Sequence, residues 1–188
     1  MFCPFASQRP LPFHDERGCP PRLVVLHYTA TTRADKALEI LKRRELSAHF
    51  LLGLQGHLFQ MVPISRRAWH AGISSYRGVS GVNAYSVGIE LVNPGPLKRK
   101  NGGWFAGNRR WMGRVVKKGH TVWAGWSHKQ ISSLLSLLQW LGEKEPALRG
   151  KVVGHETISP KRKIDPGPAF PWGLLADAGW PPADNCSR

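Results

Sequence analysis

Short apolar runs punctuate a polar, basic chain. Residues 22–28 hold Leu23-Val24-Val25-Leu26 and end at His27-Tyr28, apolar enough to predict a strand buried on both faces. A polar turn, 29–33, precedes a predicted helix over 34–46. There Ala37, Leu38, Ile40 and Leu41 share one side, and Lys36, Lys42 and Arg43 lie largely on the other. Residues 50–54 and 58–62 are apolar and flank Gln55-Gly56-His57, the pattern of a hairpin whose glycine takes the positive φ. Ser-Val-Gly-Ile-Glu-Leu-Val at 86–92 predicts a further buried strand. A long helix starts at Ser127, where Ser127 and Gln130 have capping-box spacing. It carries Ile131, Leu134, Leu135, Leu138 and Leu141 on one stripe. Val152-Val153 predicts the last strand, and 172–178 a short closing helix. Strands alternating with helices, with one hairpin among them, give an α/β fold: a single domain, a central mixed β-sheet flanked by helices.

Two segments break the pattern. Residues 1–21 are rich in Pro and are expected to be an irregular N-terminal arm. The segment 97–126 interleaves Trp104, Phe105, Trp111, Trp123 and Trp126 with basic residues and is expected to be an inserted loop or two-stranded hairpin. That divides the chain into the arm, a main domain over 22–180 carrying the insert, and a tail at 181–188.

Composition narrows the class. At 188 residues one full core is expected, and no run approaches the roughly 20 apolar residues of a membrane span. The N-terminus lacks the basic start and apolar stretch of a signal peptide, so synthesis in a cytoplasm is expected. Three cysteines, Cys3, Cys19 and Cys186, have no metal-type spacing; free thiols are expected, with a Cys3–Cys19 staple as the alternative. The net charge of +15 predicts attraction to a polyanion, either nucleic acid or an envelope polymer rich in carboxylate or phosphate.

Candidate chemistry gathers in KVVGHETISPKRKIDPGPAFPW, 151–172. Its prolines stiffen a loop that carries His155, Lys163 and Asp165. His27 ends the first predicted strand, and two imidazoles with one carboxylate are a usual catalytic zinc set. Glu90 is a carboxylate on a mostly apolar strand, so it is paired, at an edge, or functional. Lys163 is tethered two residues from Asp165, whereas Lys161 and Arg162 read as solvated charges. His49, His57, His120 and His128 have no partner at ligand spacing and read as structural.

These residues carry a resemblance. VVLHYTAT, LSAHFLLGLQGHLFQMV, AWHAG, NAYSVGIELVNPG and VVGHETISPKRKIDPGPAFPW resemble, in this order, the zinc-dependent N-acetylmuramoyl-L-alanine amidases of type 2, a superfamily that includes phage endolysins and peptidoglycan recognition proteins. The resemblance runs from about 22 to 172. It implies Zn2+ on His27, His155 and Asp165, Glu90 as general base, Lys163 as oxyanion stabiliser, and Trp69 and His70 along the substrate groove. Some relatives have Tyr where this chain has Ala48, which leaves Glu90 to work alone. The implied reaction is hydrolysis of the amide between N-acetylmuramic acid and L-alanine by a lytic, endolysin-like enzyme, with a cytoplasmic muropeptide-recycling amidase as the alternative. Implied partners are peptidoglycan or muropeptide and an anionic envelope polymer, with no specific nucleic acid and a monomeric chain. Of the readings from other classes, a non-catalytic wall binder typically lacks a metal ligand that this chain keeps. A nucleic-acid binder leaves the site residues without a role.

Overall fold

Six strands make the central sheet of the computed structural model, which describes residues 1–183. In chain order they are β1 (Ser7–Gln8), β2 (Leu23–Tyr28), β3 (Phe50–Leu52), β4 (Leu58–Gln60), β5 (Ser86–Leu91) and β6 (Val152–Gly154). Across the sheet they run β1-β4-β3-β5-β2-β6. β3 and β4 pair antiparallel and the other neighbours pair parallel, so the sheet is mixed, as expected. The helices are α1 (Ala34–Arg43), α2 (His128–Lys144), the single turn α3 (His155–Ile158) and α4 (Trp172–Asp177).

Alternation along the strands divides the sheet's two faces. Val24 and Leu26 of β2 and Val87, Ile89 and Leu91 of β5 pack with Leu134, Leu137, Leu138 and Leu141 of α2. Truncating one of these leucines to Ala removes buried surface and leaves a cavity, at about 2–5 kcal/mol. The opposite face carries Leu23, Val25 and His27 of β2 with Gly88 and Glu90 of β5. Val82, Tyr85 and Ile158 cover part of it, and α1 packs Ala37, Leu38 and Leu41 toward Leu51 of β3.

The start of α2 makes only half of the expected capping box. Ser127 Oγ accepts the Gln130 N–H at 3.1 Å. The Gln130 side chain turns inward instead of back, donating to Leu52 O at 3.3 Å and Val92 O at 3.0 Å. Burial decides this: two carbonyls at strand ends are shut away from water and need a donor. Gly56 has φ +83°, and a Cβ there would lie 2.7 Å from Lys129 O, so the β3–β4 turn is pressed against α2.

The two irregular segments are more ordered than their sequence pattern suggests. In the arm, β1 lines the sheet's edge and His14–Glu16 pairs antiparallel with Arg66–Ala68. The Arg17 guanidinium donates to the carbonyls of Arg66, Ala84 and Ser86, and burial lowers its pKa to about 10. Contacts between backbone groups and one guanidinium leave no hydropathy signature. Cys3 and Cys19 are free thiols; Cys186 and most of the tail lie outside the described residues. The insert is a three-stranded ribbon (Lys98–Lys100, Gly103–Ala106, Arg109–Arg110) followed by a hairpin (Val115–Lys118, Thr121–Ala124), rather than a loop or one hairpin. Its inner side is buried: Trp126 meets Phe170 edge-on at 5.1 Å, and Trp123 packs against Gly167, which has φ +85°. The insert therefore braces the proline-rich loop.

Candidate active site

Parallel strands present their carboxyl ends together, and the site is built there. His27 and Glu90 are register partners on β2 and β5, so their side chains emerge side by side on one face. His155 follows β6 directly and opens α3. The loop after α3 returns Asp165 to the same point, held by Glu156 N–H donating to Asp165 O at 3.0 Å.

Three ligand-type atoms converge. His27 Nδ1 lies 2.8 Å from His155 Nδ1, and Asp165 Oδ2 lies 3.1 Å from each. All three residues are buried. Such a triangle needs a shared positive centre, either a proton on an imidazole or a metal cation. The outward contact of His155 suits the cation: its Nε2 faces Ala71 O at 3.2 Å, and a carbonyl only accepts, so the neutral ring carries its proton on Nε2 and turns a bare Nδ1 toward the triangle. Burial lowers the His27 pKa to about 4, outweighing the Asp165 hydrogen bond that raises it, and leaves a neutral imidazole suited to a metal. Among the described residues these three form a cluster able to hold a metal ion. Two imidazoles and a carboxylate are a ligand set that suits zinc.

Glu90 stands beside the triangle. Its Oε2 is buried and accepts no hydrogen bond among the described residues. Burial is the main cause raising its pKa to about 8; the Asp165 charge adds to the rise and Lys163 opposes it. A carboxyl raised into this range can exchange protons near neutral pH.

One cleft of about 300 Å³ is lined by His27, Glu90, His155, Lys163, Asp165, Trp69 and His70, the seven residues singled out in the sequence. Leu41, Leu46 and Ile164 supply apolar wall. The sequence did not point to the residues that hold this arrangement. Arg162, read as a solvated charge, donates to Ala71 O at 2.9 Å and Ile73 O at 3.0 Å and clamps the two loops together. Asn83 Oδ1 accepts the N–H groups of His70 (3.1 Å) and Ala71 (2.8 Å). Ser86 Oγ lies 3.2 Å from His70 Nε2, and a Cβ at Gly88 would overlap the His70 ring. A glycine within an otherwise apolar strand was the available signal for that close approach. His49 is buried at the head of β3, where its Nδ1 accepts the Gly88 N–H at 3.0 Å, a structural role.

Comparison with known proteins gives a consistent picture. Residues 17–168 match the family described as N-acetylmuramoyl-L-alanine amidase. N-acetylmuramoyl-L-alanine amidase AmiD of Escherichia coli K12 is 34% identical over 174 residues, covering 87% of this chain and 56% of that protein. 1,6-Anhydro-N-acetylmuramyl-L-alanine amidase AmpD of Citrobacter freundii is 33% identical over 127 residues, covering 68% of this chain and 54% of that protein. The chain thus spans about half the length of these curated relatives. A solved complex of E. coli AmiD with anhydro-N-acetylmuramic acid-L-Ala-D-γ-Glu-L-Lys superposes with a TM-score of 0.68 at 32% identity, covering 89% of this chain and 61% of that one.

Proposed function

The chain belongs to the N-acetylmuramoyl-L-alanine amidase family, and from that premise we propose that it is a zinc hydrolase cleaving the amide between N-acetylmuramic acid and L-alanine in peptidoglycan or its fragments. The observation that carries this reading is the convergence of His27, His155 and Asp165 beside the unpartnered carboxyl of Glu90 in one cleft.

His27, His155 and Asp165 would hold zinc, which when bound would supply Lewis acidity, enough to lower the pKa of water from 15.7 toward about 7. Glu90 takes the proton of the attacking water and returns it to the L-alanine nitrogen as the stem peptide leaves. Its burial suits both steps, because a carboxyl with its pKa raised toward neutrality can both accept a proton and give it back. Lys163, at the cleft wall, places a positive charge where the carbonyl oxygen becomes an oxyanion. Trp69 and His70 line the side along which the muramyl group or the peptide lies. Ala48 offers no hydroxyl, so Glu90 is the protein's base in this scheme.

Two substrates are compatible with this chemistry. The insert favours polymeric wall and a lytic role: Lys98, Arg99, Lys100, Arg109, Arg110, Arg114, Lys117 and Lys118 are all exposed there, with no Asp or Glu between 97 and 126. Such a surface suits an anionic envelope polymer, with a monomer sufficient for the site. The names of the AmpD relatives favour a soluble anhydro-muropeptide and a recycling role. The test is to incubate zinc-loaded protein with intact sacculi and, separately, with anhydro-muropeptides, and identify products by mass. Release of peptides with a free N-terminal L-alanine is expected from both, faster from sacculi if the role is lytic. Hydrolysis of neither overturns the amidase reading.

A further inference from the structure

His70 is given no proton to move by the hydrolytic scheme, yet its ring is wedged between β5 and His27, and the strand leaves out a side chain at Gly88 to admit it. The hydrogen bonds around the ring fix where the protons sit. Val82 O is an acceptor only, and Ser86 Oγ lies 2.7 Å from it, so the Ser86 hydroxyl donates there. Toward His70, Ser86 Oγ is then an acceptor, and His70 Nε2, 3.2 Å away, carries the ring proton. That leaves His70 Nδ1 bare. It lies 3.0 Å from His27 Nε2, which must therefore donate to it. His27 Nδ1 is left with a free lone pair, and it is the atom that faces His155 and Asp165.

We infer that His70 is a positioning residue for the metal: relaying the Val82–Ser86 hydrogen bonds, it holds His27 as its Nε2–H tautomer and aims the Nδ1 lone pair into the centre. The next residue does the same for the second imidazole, since Ala71 O takes the Nε2–H of His155. One short loop, fixed through both backbone N–H groups by Asn83 and by Arg162 on Ala71 O, thus orients both nitrogen ligands. Outer partners of this kind typically alter metal affinity by about 10–100-fold.

This inference rests on the metal reading of the cleft, and its test separates the two. Long-range ¹H–¹⁵N spectra of the unmutated protein read the tautomer of His70 directly; Nε2–H is expected, and Nδ1–H overturns the inference. Zinc affinity is then measured by competition with a chromophoric chelator. His70→Leu is expected to weaken zinc binding by about 10–100-fold. His70→Asn offers a side-chain oxygen near the position of Nδ1 and is expected to recover most of that loss, and Ser86→Ala to fall between them. If the Leu variant binds zinc like the unmutated protein, or the Leu and Asn variants are weakened alike, His70 only fills space. A chain that takes up no zinc in any form overturns the metal reading and this inference with it; zinc uptake indifferent to position 70 overturns this inference alone.

Discussion

Glu90 keeps a carboxyl group where its charge is penalised. With a pKa of about 8 set first by burial, the metal-free protein holds it as the acid at neutral pH. A dication bound beside it would favour the charged form and lower that value, so metal loading would itself prepare the base. Glu90→Gln keeps the shape and removes the base; it is expected to retain zinc and lose about 10²–10⁴-fold in turnover, read by product release at saturating substrate. Lys163→Ala removes a charge needed most in the transition state. It is expected to lower kcat by about 10²–10³-fold with a smaller change in KM. A rise in KM alone makes Lys163 a binding residue. These chemical groups were legible in the chain because each is anomalous where it stands: a carboxylate in an apolar strand, histidines at strand ends, an aspartate in a proline-stiffened loop. Asn83, Ser86 and Arg162 were not, because a polar or charged side chain bonding a backbone group looks in sequence like any solvated one.

At the scale of elements, strands β2 and β5 were readable as short apolar runs and helix α2 from its apolar stripe, since burial leaves its mark on hydropathy. The arm and the insert were not, because β1 and the ribbon are held by backbone pairing and by a few aromatic contacts without a repeat. The insert has two sides with different work. Trp123 and Trp126 brace the loop that carries Asp165, whereas the eight exposed cations face outward. Neutralising Lys98, Arg99, Lys117 and Lys118 is therefore expected to weaken adsorption to sacculi and slow their lysis several-fold at low salt. Hydrolysis of a soluble muropeptide is expected to stay nearly unchanged. The difference should vanish as added salt shortens the Debye length below about 8 Å. Equal loss on both substrates would instead assign the cations to the cleft.

For the molecule as a whole, its buried imidazoles set a lower limit of pH. Burial lowers His27 to about 4 and His49 to about 3, and holds His70 well below its ordinary value. Unfolded, each titrates near 6.5. Between those values the unfolded chain binds protons that the folded one does not, so stability falls as pH drops below about 6.5. At pH 5 each ring held neutral in the fold lowers stability by about 2 kcal/mol relative to pH 8. Glu90, raised to about 8, opposes this, because the folded protein keeps its proton over that range while the unfolded chain does not, so thermal melts of metal-free protein should show a net fall in Tm from pH 7 to pH 5 that Glu90→Gln makes steeper. Zinc at 1,000 times its Kd should raise stability by about 4 kcal/mol at pH 7 and by less at pH 5, because protons compete for the same nitrogens. A flat profile without metal would mean that water reaches these rings in the folded state.

β1 has two residues, and the chain leaves it through Arg9 and Pro10. Short as it is, it occupies the outer margin of β4, whose amides and carbonyls would otherwise be open to a strand from another molecule. A protease cut near residue 10, or a bulky fusion ahead of Met1 that pulls Ser7 and Gln8 away, opens that margin. Self-association and loss on concentration would follow in a protein whose cleft is still intact, so how well it stores depends on a segment remote from its chemistry.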